Sequence, residues 1–166
     1  MSIRLSTPLL ISVLAAGSVG CGASSEPSPD VRREAARLLT ALEDDPAEAP
    51  LAEVELLVDR ELWGRARTVL VGEALPAARR QGRRVEALRF ETGPVRAAHV
   101  RARRAYRDRA RALLAYRDVL AELGRDDDAF YRALEELTDA QRLLLRTVDE
   151  LIALRGEPAS PPATGG

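Results

Sequence analysis

Lysine and asparagine are absent from the 166 residues of this chain, and cysteine, histidine, methionine and tryptophan occur once each. One cysteine, Cys21, excludes a disulfide within the chain, and one histidine, His99, excludes a His/Cys zinc site built from a single copy. No nucleophile stands beside a base, no glycine-rich loop is spaced to cradle phosphate, and no carboxylates are isolated on an apolar face, so neither catalysis nor a cofactor or metal is expected. No apolar run approaches the ~20 residues that span a bilayer. The alternation of a half-buried strand is missing throughout. Every basic residue is arginine; because lysine and asparagine use AT-rich codons and arginine and alanine GC-rich ones, the arginine content reads first as a GC-rich bacterial genome.

What is present begins at the N-terminus. Met1 to Arg4 supply an amine and one arginine, and Leu5 to Ala16 (LSTPLLISVLAA) form an apolar stretch of signal-peptide length. Ser18, Val19 and Gly20 lead into Cys21, and this run resembles the lipobox of bacterial lipoproteins, departing from it at Ser18, where an aliphatic residue is usual. The resemblance implies a signal peptide at 1–20, acylation of Cys21 as the mature terminus, and a lipid-anchored protein facing the periplasm. Gly22 stands where enteric lipoproteins held at the inner membrane carry aspartate, which implies the outer membrane. Acylation also caps a thiol that would otherwise sit unpaired in an oxidising compartment, and two acyl chains at about 0.8 kcal/mol per buried methylene hold a domain firmly where one does not. The alternatives are an ordinary secretory peptide with Cys21 a spare thiol, or a cytosolic N-terminal helix. Residues 21–29 then read as the lipidated cysteine and a flexible linker rich in Ser and Pro.

Charge falls into three blocks. Residues 30–62 carry ten acids and four arginines, residues 79–111 twelve arginines and three acids, and residues 118–150 ten acids and four arginines. The chain is acidic, basic, acidic.

Apolar spacing predicts helices over nearly all of 30–156. Ser28-Pro29-Asp30 is a start signal, followed by the stripe Val31, Ala35, Leu38, Leu39 and Leu42, and Asp44 to Pro50 is a break. A second helix is expected from about Leu51, with one stripe of Leu51, Val54, Val58, Leu62 and Val69 and another of Leu56, Trp63 and Leu70, and with a kink at Gly72 and Pro76. Helix resumes by Ala77 and runs to about Glu91, where Gly93-Pro94 stops and restarts it. Val95, His99, Ala102, Tyr106, Arg109, Leu113, Tyr116, Leu120 and Leu123 alternate by three and four, a seam that only Arg109 interrupts. After Gly124 and Asp126-Asp127-Asp128, the same alternation runs from Phe130 to Leu151, and Gly156 and Pro158 close it. Residues 157–166 read as a disordered tail. Short connections between long helices force antiparallel neighbours, so the fold expected is all-α: an elongated up-down bundle of three to four helices with a kinked second helix.

Two features bear on function. Arg96, Arg103, Arg107 and Arg111 fall at spacings of seven and four on one side of the long helix, with Arg104 beside them, a candidate site for anionic lipid, acidic polysaccharide or an acidic partner. Pairing of those arginines with the acidic helices on either side would neutralise the stripe. His99 reads as a core residue, and Trp63 and the tyrosines as core or boundary. Leu137-Thr138-Asp139-Ala140-Gln141 (LTDAQ) matches the pattern LTxxQ and looks like the motif of small helical periplasmic chaperones and stress sensors of the Spy/CpxP type, which would imply weak binding of unfolded clients. The leading expectation is a membrane-anchored, non-catalytic helical domain that binds a protein partner or acts as a scaffold. The alternatives are an LTxxQ-like chaperone or sensor and a binder of anionic lipid or polysaccharide. Nucleic acid is not expected as a partner, and the oligomeric state is open.

Overall fold

The computed structural model describes residues 26–122 and 127–156. The expected signal peptide, Cys21, the start of its linker, Gly124, Asp126 and the tail at 157–166 lie outside the described residues. Helix α1 (Pro29–Glu43) begins as its sequence dictates: the Ser28 hydroxyl accepts the Val31 N–H at 3.4 Å, Pro29 fills the first position and Asp30 faces the positive end of the helix. A short turn separates it from α2 (Glu48–Asp59). Asp45 nucleates that second start by accepting the Ala47 N–H at 2.9 Å, and Pro50 sits in the first turn of α2, where its missing N–H has no intrahelical acceptor to lose. The break is therefore shorter than the sequence signals suggested.

The helix expected from Leu51 through Val69 is in fact a hairpin. Chain direction reverses at Arg60 to Leu62, where Glu61 takes a left-handed φ of 59°, and α3 (Trp63–Val69) runs back along α2. Each of the two apolar stripes is divided between the two arms of this hairpin, and no glycine or proline stands within the reversal, so periodicity alone could not place it. Leu70–Ala74 then form a π turn in which the Leu75 N–H reaches the Leu70 carbonyl, five residues back, and α4 (Leu75–Ala87) continues with Pro76 in its first turn. One extra residue in the turn accommodates a ring that would collide with a regular helix, so Gly72 and Pro76 yield a π turn at the position of the expected kink.

Helix α4 stops at Ala87, four residues earlier than expected, and Leu88 is extended. Glu34 of α1 explains the stop. Its carboxylate accepts the Glu91 N–H at 2.8 Å, the Thr92 N–H at 2.9 Å and the Thr92 hydroxyl at 2.5 Å, which pins this connection to α1. Burial alone would raise the Glu34 carboxyl, but those three hydrogen bonds and the Arg33 charge bring it below the usual carboxylate range. From there α5 (Gly93–Ala121) and α6 (Asp127–Arg155) form a long antiparallel pair of 29 residues each, about 44 Å at 1.5 Å per residue. Gly156, at a φ of 78°, ends α6.

The chain is an all-α up-down bundle of four columns: α1 and α2 as a bent first helix, α3 with the π turn and α4 as the second, then α5 and α6. Among the described residues there is no strand and no helix long and apolar enough to cross a membrane. Apolar side chains fill the rod in two clusters. One gathers Leu38, Leu39, Val85, Val95, Ala102 and Leu151, the other Val54, Leu70, Leu113, Leu120 and Ala133.

Candidate functional site

Between those clusters lies a polar waist. Arg109, the residue that interrupts the α5 seam, has a side chain only 6% exposed and bonds Asp45, 2% exposed, through Nη1 and Oδ2 at 2.5 Å. Tyr106 donates its hydroxyl to the same carboxylate at 3.4 Å, and burial, then the Asp45 charge, push that hydroxyl up. Gln81 donates to the Ala41 carbonyl at 2.6 Å, satisfying an acceptor in the last turn of α1. The waist thus closes the bend between α1 and α2 around one buried ion pair. His99 does a similar job at the next connection: its Nε2 donates to the Val85 carbonyl at 2.7 Å near the end of α4, and its ring stands edge-on to Phe90 with centroids 5.1 Å apart. The carbonyl can only accept, which fixes the proton on Nε2. His99 is a buried core residue, as its position on the seam implied.

The arginine stripe stays on the surface. Arg103 bonds Glu86 at 2.8 Å, and Arg104 and Arg111 lie 3.5 and 3.6 Å from Asp108. Both of these carboxylates belong to the basic block itself. No ion pair or hydrogen bond engages the side chains of Arg96 and Arg107 among the described residues. The acidic flanks pair instead with other arginines: Asp44 with Arg84, Asp45 with Arg109, and Glu150 with Arg101. The structure therefore brings together Arg103, Arg104, Arg107 and Arg111 on one side of α5, with Arg96 one turn beyond the 59%-exposed Val100, and the acidic helices do not neutralise them.

Helix α4 extends that face. Arg79 and Arg83 stand across from Arg103 and Arg107, and the four wall a groove of about 180 Å³ between α4 and α5, with Ala78, Gly82, Tyr106 and Ala110 beneath them. Glu86 is the one carboxylate among its lining residues. Sequence reading missed the α4 half because the stripe was sought along one helix. The available signal was Gly82 inside an otherwise good helical run: an added Cβ there would sit 3.6 Å from the Tyr106 Cβ, and α4 approaches α5 closely at that point.

The other sequence features do not assemble a site. Leu70 is fully buried, Trp63 half-buried against Phe130, and Leu56 48% exposed, so these three form no contiguous apolar patch. Leu137 to Gln141 lie inside α6, where Thr138 donates its hydroxyl to the Leu134 carbonyl rather than capping a helix start. Among the described residues no group of three His, Cys, Asp or Glu side chains could hold a metal ion. No known protein family, curated protein or solved structure matches the chain.

Proposed function

We propose that this chain is a lipid-anchored protein of the bacterial envelope, held by acylated Cys21, whose helical bundle binds an acidic envelope polysaccharide through the α4–α5 face without catalysing a reaction. The lipobox-like run ending at Cys21 supports the anchor. The observation that carries the binding role is the pairing pattern: the stripe arginines are unpaired or paired only with carboxylates of their own block, while the acidic flanks spend their charge elsewhere. Guanidinium groups lined along two neighbouring helices offer planar forks to carboxylates or sulfates spaced along a polymer. The reading of a protein partner loses the contiguous apolar patch it would have used.

Two measurements test this. Replacing Arg103, Arg104, Arg107 and Arg111 together with Gln should shift elution from immobilised heparin to much lower salt, because each removed contact lowers the salt dependence of polyanion binding; unchanged retention refutes the binding role. Labelled fatty acid should enter the wild-type chain and not Cys21→Ser, and equal labelling refutes the anchor.

A further inference from the structure

The groove at the centre of the basic face is more selective in its chemistry than the face around it. Arg79 and Arg83 lie one turn apart on α4 and Arg103 and Arg107 one turn apart on α5, so arginine side chains line both walls of the same 180 Å³ space. Against these four positive charges the lining holds one carboxylate, Glu86, and that carboxylate is already engaged by Arg103 Nη2 at 2.8 Å. The Arg103 Nε, by contrast, is buried and has no hydrogen-bond partner. The rest of the lining is small or apolar: Ala78, Gly82 and Ala110, with Tyr106, whose hydroxyl donates to Asp45.

Arginines on two sides, an excess of three positive charges and a largely apolar floor together define a ligand. The group must carry more than one negative charge and several acceptor oxygens, and it must be attached to something with a C–H face. A phosphate monoester fits, with a charge of about −1.5 to −2 and three acceptor oxygens at neutral pH; a carboxylate or a sulfate ester brings one charge and leaves the excess standing. We propose that this groove is a subsite for a phosphate monoester borne on a sugar, with the phosphate between Arg83, Arg103 and Arg107 and the ring over Gly82. This rests on the polysaccharide reading and narrows it: phosphorylated sugars along the polymer would be the units recognised.

The test uses the full chain in non-ionic detergent, titrated calorimetrically with a hexose 6-phosphate, the matching hexose 6-sulfate, a hexuronate and inorganic phosphate. The sugar phosphate should bind at least tenfold more tightly than each of the other three. Gly82→Leu, which keeps every arginine and fills the floor, should abolish that binding while leaving heparin retention as it is. Arg83→Gln with Arg107→Gln, both on the surface, should weaken it more than tenfold with an unchanged helical circular dichroism spectrum. Equal binding of the sulfate ester or the uronate overturns the inference, as does equal binding of inorganic phosphate or survival of binding in Gly82→Leu. Retention on heparin with no sugar-phosphate binding overturns this inference alone; sugar-phosphate binding with unchanged heparin retention in the arginine quadruple variant overturns the polysaccharide reading alone.

Discussion

Asp45→Ala should be the most damaging single substitution on the polar side of this protein. The carboxylate is 2% exposed and faces Arg109, 6% exposed, at 2.5 Å. Removing it leaves a guanidinium in the interior without its partner carboxylate, and an uncompensated buried charge typically costs about 3–5 kcal/mol. The same carboxylate accepts the Ala47 N–H in the turn before α2, and loss of that hydrogen bond adds ~1 kcal/mol. The total, roughly 4–6 kcal/mol, is a large part of the ~5–15 kcal/mol available to a domain of this size. At a urea slope of about 2 kcal/mol per molar, the midpoint should fall by roughly 2–3 M.

The complementary variant separates ion pairing from desolvation. In Asp45→Asn with Arg109→Met, the amide oxygen still accepts the Ala47 N–H and the methionine fills the arginine channel without a charge to solvate. A buried pair replaced by neutral groups of similar volume is often neutral in stability. The double variant should unfold within about 1–2 kcal/mol of wild type and well above Asp45→Ala. Urea unfolding followed by circular dichroism gives the comparison. An Asp45→Ala cost below about 1 kcal/mol, or a double variant no better than the single, would show that the waist is solvated and the reasoning from burial is wrong.

Glu34→Gln should destabilise the protein by about 1–2 kcal/mol at pH 7, allowing for the partial exposure of the carboxylate. The folded carboxyl titrates below its ordinary range, so the wild-type advantage is complete above the unfolded carboxylate range and disappears as pH falls through the folded value; thermal melts from pH 7 to 3 should converge. His99→Leu removes the 2.7 Å donor from the Val85 carbonyl, which keeps the Leu88 N–H at 3.2 Å, and should cost about 0.5–1.5 kcal/mol, whereas His99→Gln, which keeps a donor, should recover part of it. Gly72→Ala should raise stability by about 0.4–1 kcal/mol in thermal melts, because a Cβ there meets nothing within 4 Å and the unfolded chain loses freedom; a loss would mean that the π turn requires glycine.

The helices were legible where apolar spacing and punctuation agreed. Ser28-Pro29, Gly93-Pro94 and Gly156 all mark observed ends. The reversal at Arg60 to Leu62 was not, because Glu61 adopts a conformation that glycine or asparagine would have advertised. The early end of α4 was hidden for another reason: Glu34, which ties down the next connection, is 57 residues away in sequence, and no local pattern reports a long-range partner. For the waist, half the signal was visible. An arginine on an apolar seam demands a buried acid, but nothing in the sequence selects Asp45 over its neighbour Asp44, which pairs with Arg84 on the surface instead.

The arrangement of the columns decides what the charge blocks can do. In an up-down ring of four, the first and last columns are neighbours, and α1 indeed lies against α6 while α4 lies against α5. Helix α1 carries three acids and three arginines, so the acidic α6 meets a neutral helix there, whereas α4 and α5, both from the basic block, are placed beside each other. Had charge pairing served to zip the bundle together, acidic and basic columns would face one another along every seam, as e and g positions do in coiled coils. Here the pairs that cross between blocks, Arg84 with Asp44, Arg101 with Glu150 and Arg109 with Asp45, use arginines outside the stripe. Setting like-charged helices in contact is unfavourable to folding, so the basic side is not accounted for by the stability of the bundle. The GC-rich codon argument explains why a cation in this chain is arginine, but it predicts arginines scattered along the sequence, not four of them walling one groove from two helices.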